Sequence, residues 1–356
     1  MVRPRTDTVV VLMRMGQGNG PAYLVPLANA VRPARLQVIR PAPKPDHLTL
    51  QNVDYIDVAG GPSAWEVIKA AIRTFLDVLR LRPRLIASFN AYPYGIIAFL
   101  IGTLTRTPVH IGFVGSDMMR LRRARPVLRL LSRAALITAP GPTTAGLLKE
   151  AGISTQVRTL THGVDPERFL PARGNRDIDI VYVGALIPRK RVDLLIEAVR
   201  ILHREGRRVR CVIVGDGIER ERLTDLTRQH GLDQMIEFVG QQAHPEQWLR
   251  RAKILAMPSG WEGLAFALIE AMRCGVVPVV TDVASTGDLV KNGYNGILLN
   301  PHVGSHGIAE ALGMLLDDPA ATDELSKAAI ADTSDFTFER SEREWRSMFA
   351  DLNSDS

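Results

Sequence analysis

Short, continuous apolar runs alternate along this chain with longer stretches whose apolar positions recur every three or four residues. The first texture belongs to strands buried on both faces, the second to helices with one buried side. In the first half, runs at 8–13, 36–39, 85–89, 109–114, 136–139 and 157–160 read as strands. Helices are expected between them at 22–31, 64–80, 94–104 and 127–134, and 64–80 has the i, i+3, i+4 spacing of an amphipathic helix. A second series opens with a strand at 178–183 and a helix at 192–205. It continues through strand 209–214, helix 219–230 and strands 236–239 and 253–257, then helix 265–274 and strand 276–281. A polar amphipathic helix is expected near the end, at 339–352. Repeated β–α alternation of this kind predicts parallel sheets. The polar stretch 166–177, with Pro171 and Gly174, separates the two series and predicts domains at 1–172 and 173–336.

Composition changes this picture little. The 356 residues suffice for two domains of ordinary size, and 46% hydrophobic with 23% charged residues is a globular balance. Cys211 and Cys274 sit inside apolar segments, so they read as reduced core residues of a cytosolic protein. No Cys/His cluster has zinc spacing. The apolar run at 8–13 is too short for a signal peptide, and 96–104 is too short to span a bilayer. A soluble or peripheral protein is expected. Charge adds more: residues 1–172 carry 22 Lys+Arg against 10 Asp+Glu, and residues 173–356 carry 22 against 28. The basic half suggests an anionic partner, either a membrane surface, a nucleic acid or an acidic substrate. Its densest segment holds Arg120, Arg122, Arg123, Arg125, Arg129 and Arg133 between leucines and reads as a basic amphipathic helix interrupted near Pro126. Such a helix either lies on an anionic membrane or packs on a core with a solvated basic face.

Candidate chemistry concentrates where the run 253–257 ends at Pro258, Ser259 and Gly260. Glu262 follows on the loop at that strand's carboxyl end, and Glu270 lies inside an otherwise apolar helix that Gly275 stops. A Glu in a buried helix needs a partner, because unpaired burial costs several kcal/mol. Ligands of open α/β sheets sit at the strands' carboxyl ends, and helix N-termini there favour anions. The competing readings are a solvated loop residue for Glu262 and a paired structural residue for Glu270. Arg189, Lys190 and Arg191 stand between a strand ending at Gly184 and the next helix. They suit a diphosphate, or form a solvated basic helix start. Gly215-Asp216-Gly217 fits a tight strand–helix turn, and Arg220 breaks the full dinucleotide fingerprint. Gly16, Gly18 and Gly20 after the first strand either present amides to a phosphate or form a flexible turn. Asp177-Ile178-Asp179 has a metal-binding spacing but lies at a strand start, away from the ligand end. Asn295-Gly296 is expected to form a hairpin-like turn.

The spacing Glu262-x7-Glu270, set in a strand–loop–helix, resembles the retaining glycosyltransferases of family 4. The resemblance is close over 178–300 and loose over most of 8–352. It implies an α/β protein of the GT-B fold, two Rossmann-like β/α/β domains facing across a cleft, with segment 337–356 packing back onto the first domain. It implies Glu262 against the donor sugar, Glu270 on the ribose hydroxyls, and Lys190 with Arg189 on the diphosphate. Ala185 stands where the family usually has an arginine, so Arg189 or Arg191 would substitute. Gly184, Gly215, Gly217, Gly263, Leu264, Ala265 and Phe266 would line the donor, with Gly16 and Gly18 reaching it from the first domain. Acceptor-side candidates are Ser116, Asp117, Asn90 and His162. Val114 stands where a histidine is frequent, and His162 replaces an asparagine.

The reaction implied is retaining hexosyl transfer from a nucleotide-diphosphate sugar to a glycan or lipid-linked acceptor. It would serve glycolipid, cell-surface polysaccharide or glycan biosynthesis. No bound cofactor, metal or nucleic acid is expected. The site of action would be the cytoplasm, at the inner face of the membrane. Two alternatives remain open: a non-catalytic sugar-nucleotide-binding protein of the same fold, and an anionic-polymer-binding protein.

Overall fold

A computed structural model describes residues 5–13, 20–32, 34–40, 50–58, 64–114, 116–121, 123–171, 174–263 and 265–354. The chain divides into two compact units, Met1–Gly163 with Thr337–Ser356, and Val164–Phe336.

Unit 1 is built on strands β1 (Thr6–Leu12), β2 (Arg35–Arg40), β3 (Val53–Asp57), β4 (Pro83–Ser88), β5 (Val109–Gly112), β6 (Leu136–Ala139) and β7 (Val157–Thr159). They form one parallel sheet in the order β3-β2-β1-β4-β5-β6-β7. Its helices are α1 (Gly20–Ala30), α2 (Ala64–Leu81), α3 (Ile96–Thr105), α4 (Ser116–Leu121), α5 (Arg125–Leu131) and α6 (Pro142–Ala151). The C-terminal helix, Phe338–Ser354, belongs to this unit and packs against α1. Glu344 accepts hydrogen bonds from the Thr161 backbone N–H and hydroxyl, and Trp345 is fully buried, edge-on to Phe89 and His110. β1 is continuously apolar because both its faces are covered: Val9 through Leu12 are wholly buried. β3 and α6 escape the periodicity reading. β3 is a half-buried edge strand that mixes Val53, Tyr55 and Ile56 with Asp54 and Asp57. The basic segment forms two helices, α4 and α5, that meet just ahead of Pro126.

Unit 2 has strands β8 (Ile178–Val183), β9 (Cys211–Val214), β10 (Ile236–Gly240), β11 (Ala252–Met257), β12 (Val277–Thr281) and β13 (Ile297–Leu299). Their order is β10-β9-β8-β11-β12-β13, again all parallel. The helices are α7 (Val192–Arg204), α8 (Arg220–Gln229), α9 (Glu246–Leu249), α10 (Phe266–Arg273), α11 (Thr286–Leu289), α12 (Ser305–Asp317) and α13 (Pro319–Thr333). Ile180, Tyr182, Cys211, Ile213, Ile254 and Ala256 enter one core with α7 and α12. Val181, Val212, Val214, Leu255 and Met257 enter another with α10. Alternate side chains thus serve opposite faces of one sheet, which is why its strands read as unbroken apolar runs.

The chain turns at Asn295-Gly296, with Gly293 N donating to Gly296 O at 2.8 Å, but no antiparallel hairpin forms, since β13 runs parallel to β12. Asn295 is buried and organises the approach to β13 with its amide. Its Nδ2 donates to Leu289 O at 3.0 Å and Asp332 Oδ2 at 2.9 Å, and its Oδ1 accepts from Lys291 N at 2.7 Å. These side-chain bonds add to the backbone bonds of the turn and fix its position against Leu289 and Asp332. At the amino ends of the strands, Asp177 is held by Arg210 and Arg251, and Asp179 by Lys253 at 2.8 Å. The Asp-x-Asp is therefore an ion-paired clasp on neighbouring strands.

Candidate functional site

Sheet order locates the site in unit 2. From β8 the chain steps outward through β9 to β10, then returns to the other side of β8 as β11 and steps outward through β12 to β13. The β8/β11 boundary is a topological switch point, the place at which open α/β sheets commonly take their ligands. The loop after β8 carries Arg189, Lys190 and Arg191, and the loop after β11 carries Ser259, Glu262 and Gly263. A backbone bond from Gly260 N to Arg189 O, 2.8 Å, ties the two loops together.

At this boundary Lys190 and Glu262 form a buried ion pair. Glu262 Oε1 also accepts from Ser259 Oγ at 2.7 Å. Ser259 is itself buried, and its carbonyl accepts from Thr281 Oγ1 of β12. Thr286 Oγ1 donates to Thr281 O at 2.8 Å and receives the Val283 backbone N–H at 2.8 Å. Polar contacts therefore run from Lys190 through Glu262 and Ser259 to the loop after β12. Ser259 reads from the sequence only as the end of the strand, and no individual role is assigned there to Thr281 or Thr286. Their signal was a cluster of small hydroxyl residues at strand ends, which also marks ordinary turns.

The three cations separate into three roles. Lys190 holds Glu262. Arg191 donates from its guanidinium to Pro301 O and Val303 O, both at 2.9 Å, and so anchors a distant loop. Arg189 is half-buried and has no carboxylate partner among the described residues. Of the two candidate substitutes for the arginine missing at Ala185, Arg191 is engaged structurally and Arg189 is left to meet an anion.

Glu270 lies in the second turn of α10, whose N-cap is Ala265 and whose first residue is the buried Phe266. Gly263 is buried in the loop before it, and Leu264 lies outside the described residues. The Glu270 side chain keeps part of its surface open, and its carboxyl accepts no hydrogen bond from the described residues. The surrounding protein displaces enough water to push its pKa up to about 7. Arg168 nearby opposes that shift, but Arg168 is committed to Glu246 at 2.8 Å, whose own charge raises Glu270 further. The structural partner expected for a Glu in this helix is absent among the described residues. Buried carboxyls normally have hydrogen-bond partners, which makes Glu270 an exception that calls for a reason.

Gly215 and Gly217 have a packing reason to be glycine. They stand at φ +146° and +159°, and a Cβ on them would lie 1.8 Å from Gly184 O and 2.3 Å from Leu186 O. The turn after β9 thus presses its backbone against the turn after β8, with Leu186 N bonded to Asp216 O at 2.9 Å. Gly215→Ala is expected to destabilise unit 2 by about 3 kcal/mol, because both clashing partners are backbone. Urea unfolding of the purified variant measures it.

Among the unit 1 candidates, Asn90 lies two residues past the end of β4, beside the β1/β4 switch point, and its carbonyl accepts from Ser88 Oγ at 2.9 Å. Asp117 is buried and accepts from Ala91 N at 2.9 Å and Val114 N at 3.3 Å. Burial raises its pKa to about 6 against the pull of those backbone donors. Asp117 therefore shapes the turn after β4. His162 is buried with its Nε2 3.4 Å from the Tyr23 hydroxyl, and desolvation lowers its pKa to about 3, so the ring is neutral near pH 7. Ser116 opens α4, with its side chain outside the described residues. Gly16 and Gly18 also lie outside the described residues.

Residues 165–332, nearly all of unit 2, match the family model for glycosyl transferases group 1. A D-inositol 3-phosphate glycosyltransferase of Kribbella flavida is 32% identical over 205 residues, covering 52% of this chain and 48% of that protein. A glycogen synthase of Mycobacterium tuberculosis is 31% identical over 190 residues, covering 52% and 46%. The chain thus spans about half the length of these curated relatives. Among solved structures, HepE of Anabaena in complex with UDP-glucose superposes with a TM-score of 0.81 at 18% identity, over 97% of this chain and 99% of that one. Sucrose-phosphate synthase of Thermosynechococcus elongatus superposes at 0.82, also at 18% identity, over 98% and 100%. The chain therefore has the α/β fold of the GT-B glycosyltransferases, and its second unit is similar in sequence to glycosyl transferases group 1.

Proposed function

We propose that this protein is a retaining glycosyltransferase that moves a hexosyl group from a nucleotide-diphosphate sugar to a glycan or lipid-linked acceptor. Residues 173–336 bind the donor and residues 1–172 the acceptor. The observation that carries the reading is the unpartnered carboxylate of Glu270 on the helix that follows the Glu262 loop, in a unit whose switch-point loops hold the Lys190–Glu262 pair and Arg189. A nucleotide sugar presents the matching groups: ribose hydroxyls for Glu270, a diphosphate for Arg189 and Lys190, and sugar hydroxyls for Glu262. In the reaction the bond from the anomeric carbon to the diphosphate oxygen breaks, and the acceptor oxygen bonds to that carbon on the same face. The departing phosphate takes the acceptor's proton, and the cations stabilise the charge it gains. No bound cofactor or metal enters these steps.

The enzyme serves glycolipid, cell-surface polysaccharide or glycan synthesis, acting in the cytoplasm at the membrane's inner face. UDP-glucose, present in the HepE complex, is the first donor to test. A thermal-shift panel of UDP-, GDP- and ADP-sugars on wild type and Glu270→Ala decides the donor reading. One nucleotide class should stabilise wild type by about 2.7 kcal/mol at a hundredfold excess over Kd. Glu270→Ala should lose that gain, and no shift with any nucleotide would overturn the donor assignment. A second reading, binding without turnover, is favoured by Ala185 and Val114, which leave two family positions without their usual cation and histidine. Stabilisation by a nucleotide sugar without release of nucleoside diphosphate, across a panel of acceptors, would select it.

A further inference from the structure

Helix α2 is amphipathic, but its apolar stripe points the wrong way for core packing. Trp65, Ile68, Ile72, Leu76 and Leu79 recur at helical spacing and are 44% to 68% exposed. The opposite face, turned to the body of unit 1, buries Glu66, Thr74 and Asp77 beside Ala70 and Val78. Asp77 is satisfied there by Gln37 of β2 and by Arg73 at 2.6 Å, and Thr74 by the Ala70 carbonyl at 2.7 Å. Of these contacts, the Gln37–Asp77 bond crosses between elements and holds the polar face of α2 against β2. α3 packs beside α2 and adds Leu100 and Leu104, 51% and 76% exposed. An apolar surface of this extent on adjacent helices marks an interaction site.

Its charge indicates what covers it. The exposed residues of α2 include Lys69, Arg73 and Arg80. Arg106 follows α3, and Arg133 lines the same shallow cavity of about 290 Å³ as Arg106. Arg125 and Arg129 stand exposed on α5. Apart from Arg73, these cations form no ion pair among the described residues. No carboxylate is exposed on α2, α3 or α5, because Glu66 and Asp77 are the only acids these helices contain and both are buried. Aliphatic and tryptophan side chains flanked only by cations match a bilayer interface bearing anionic headgroups. A second copy of the chain fits less well, since a two-fold contact would set this cationic face against itself.

We propose that the α2–α3 face of unit 1, with the cations of α5, docks on an anionic lipid bilayer. The stripe enters the headgroup boundary and the arginines meet phosphate oxygens. Among the described residues no helix is long and apolar enough to cross a membrane, so this contact is superficial. The proposal deepens the membrane-surface part of the proposed function and is independent of the donor chemistry.

The experiment is co-sedimentation of the full chain with vesicles of phosphatidylcholine alone or mixed with phosphatidylglycerol, without any nucleotide sugar. Wild type should pellet with the mixed vesicles and much less with the neutral ones. Ile72→Glu/Leu76→Glu should abolish pelleting while keeping the thermal midpoint, since both sites are exposed. Arg129→Glu/Arg133→Glu should weaken binding by about tenfold. Wild type remaining in the supernatant at low salt would overturn the proposal. So would undiminished binding of Ile72→Glu/Leu76→Glu, which would leave charge alone as the cause. A lipid-free dimer that this variant converts to monomer would assign the face to a second copy instead. The nucleotide thermal shift, read on the same variants, separates failure here from failure of the donor assignment.

Discussion

Replacing Lys190 with methionine is expected to destabilise unit 2 by about 3 kcal/mol and to remove sugar transfer. The stability loss follows from burial. The variant leaves Glu262 desolvated, with Ser259 Oγ as its remaining side-chain donor. A buried charge stripped of its counter-ion costs far more than the pair contributes when intact. Glu262→Gln alone strands the ammonium and should cost a similar amount. The double variant Lys190→Met/Glu262→Gln leaves no uncompensated charge, so it should recover about 2 kcal/mol of the summed losses. Urea unfolding of wild type and the three variants closes the cycle. Losses that simply add would mean that each side chain is stabilised by something other than its partner. Activity should stay lost in the double variant even where stability returns, and that separates the chemical role from the structural one.

The second large effect concerns Glu270, where stability and binding should move in opposite directions. Its folded pKa is raised to about 7 from an ordinary 4.5. Below pH 4.5 the carboxyl is protonated in both states and contributes nothing to the difference. As pH rises toward 7 the unfolded chain ionises freely while the native carboxyl holds its proton, so unit 2 loses stability through this window. Above pH 7 the native group must ionise in its desolvated setting, and the full penalty persists. Glu270→Gln should therefore be neutral near pH 4 and stabilising by about 2 kcal/mol at pH 8, the partial exposure of the side chain trimming the full shift. Glu246 has a lowered pKa and imposes the opposite trend, so the informative quantity is the difference between wild type and variant across pH. A difference independent of pH would refute the assignment. Nucleotide-sugar affinity should fall by about tenfold to a hundredfold in the same variant, because charge-assisted hydrogen bonds to ribose are lost. In wild type that affinity should rise with pH through 7 as the carboxylate forms. A residue that costs stability and supplies binding is held in place by function.

Much of this site was legible along the chain because its parts are local. Glu262, Glu270 and the turn between them belong to one strand–loop–helix, and the boundaries of β11 and α10 are marked by Pro258 and Gly275. The glycines at 215 and 217 signalled a tight turn, and their close approach to Gly184 and Leu186 explains it. The pairing of Lys190 with Glu262 was not legible. The resemblance assigns them to different parts of the donor, and they meet across 72 residues because β11 inserts beside β8. Ser259 was read as a strand terminator, and its hydroxyl became a partner of Glu262 only once the loop was folded. His162 and Asp117 show the same limit. Their residue types suit catalysis, while burial beside Tyr23 and beneath the Ala91 turn makes them parts of the unit 1 core.

The sequence by itself determined the parallel α/β architecture, because unbroken apolar runs tolerate only sheets covered on both faces. It also determined the presence of two carboxylates at and just beyond one strand's carboxyl end, through turn and cap chemistry acting over a few residues. Tertiary structure alone decided which side of each element faces inward and which distant charges meet. Periodicity shows that α2 has an apolar stripe and is silent on its direction. The inner face is tied to β2 by Gln37, which donates to Asp77, while Trp65, Ile72 and Leu76 stay outside. Local propensity and patterning act along the chain, whereas burial and ion pairing depend on strand order, which no single segment encodes.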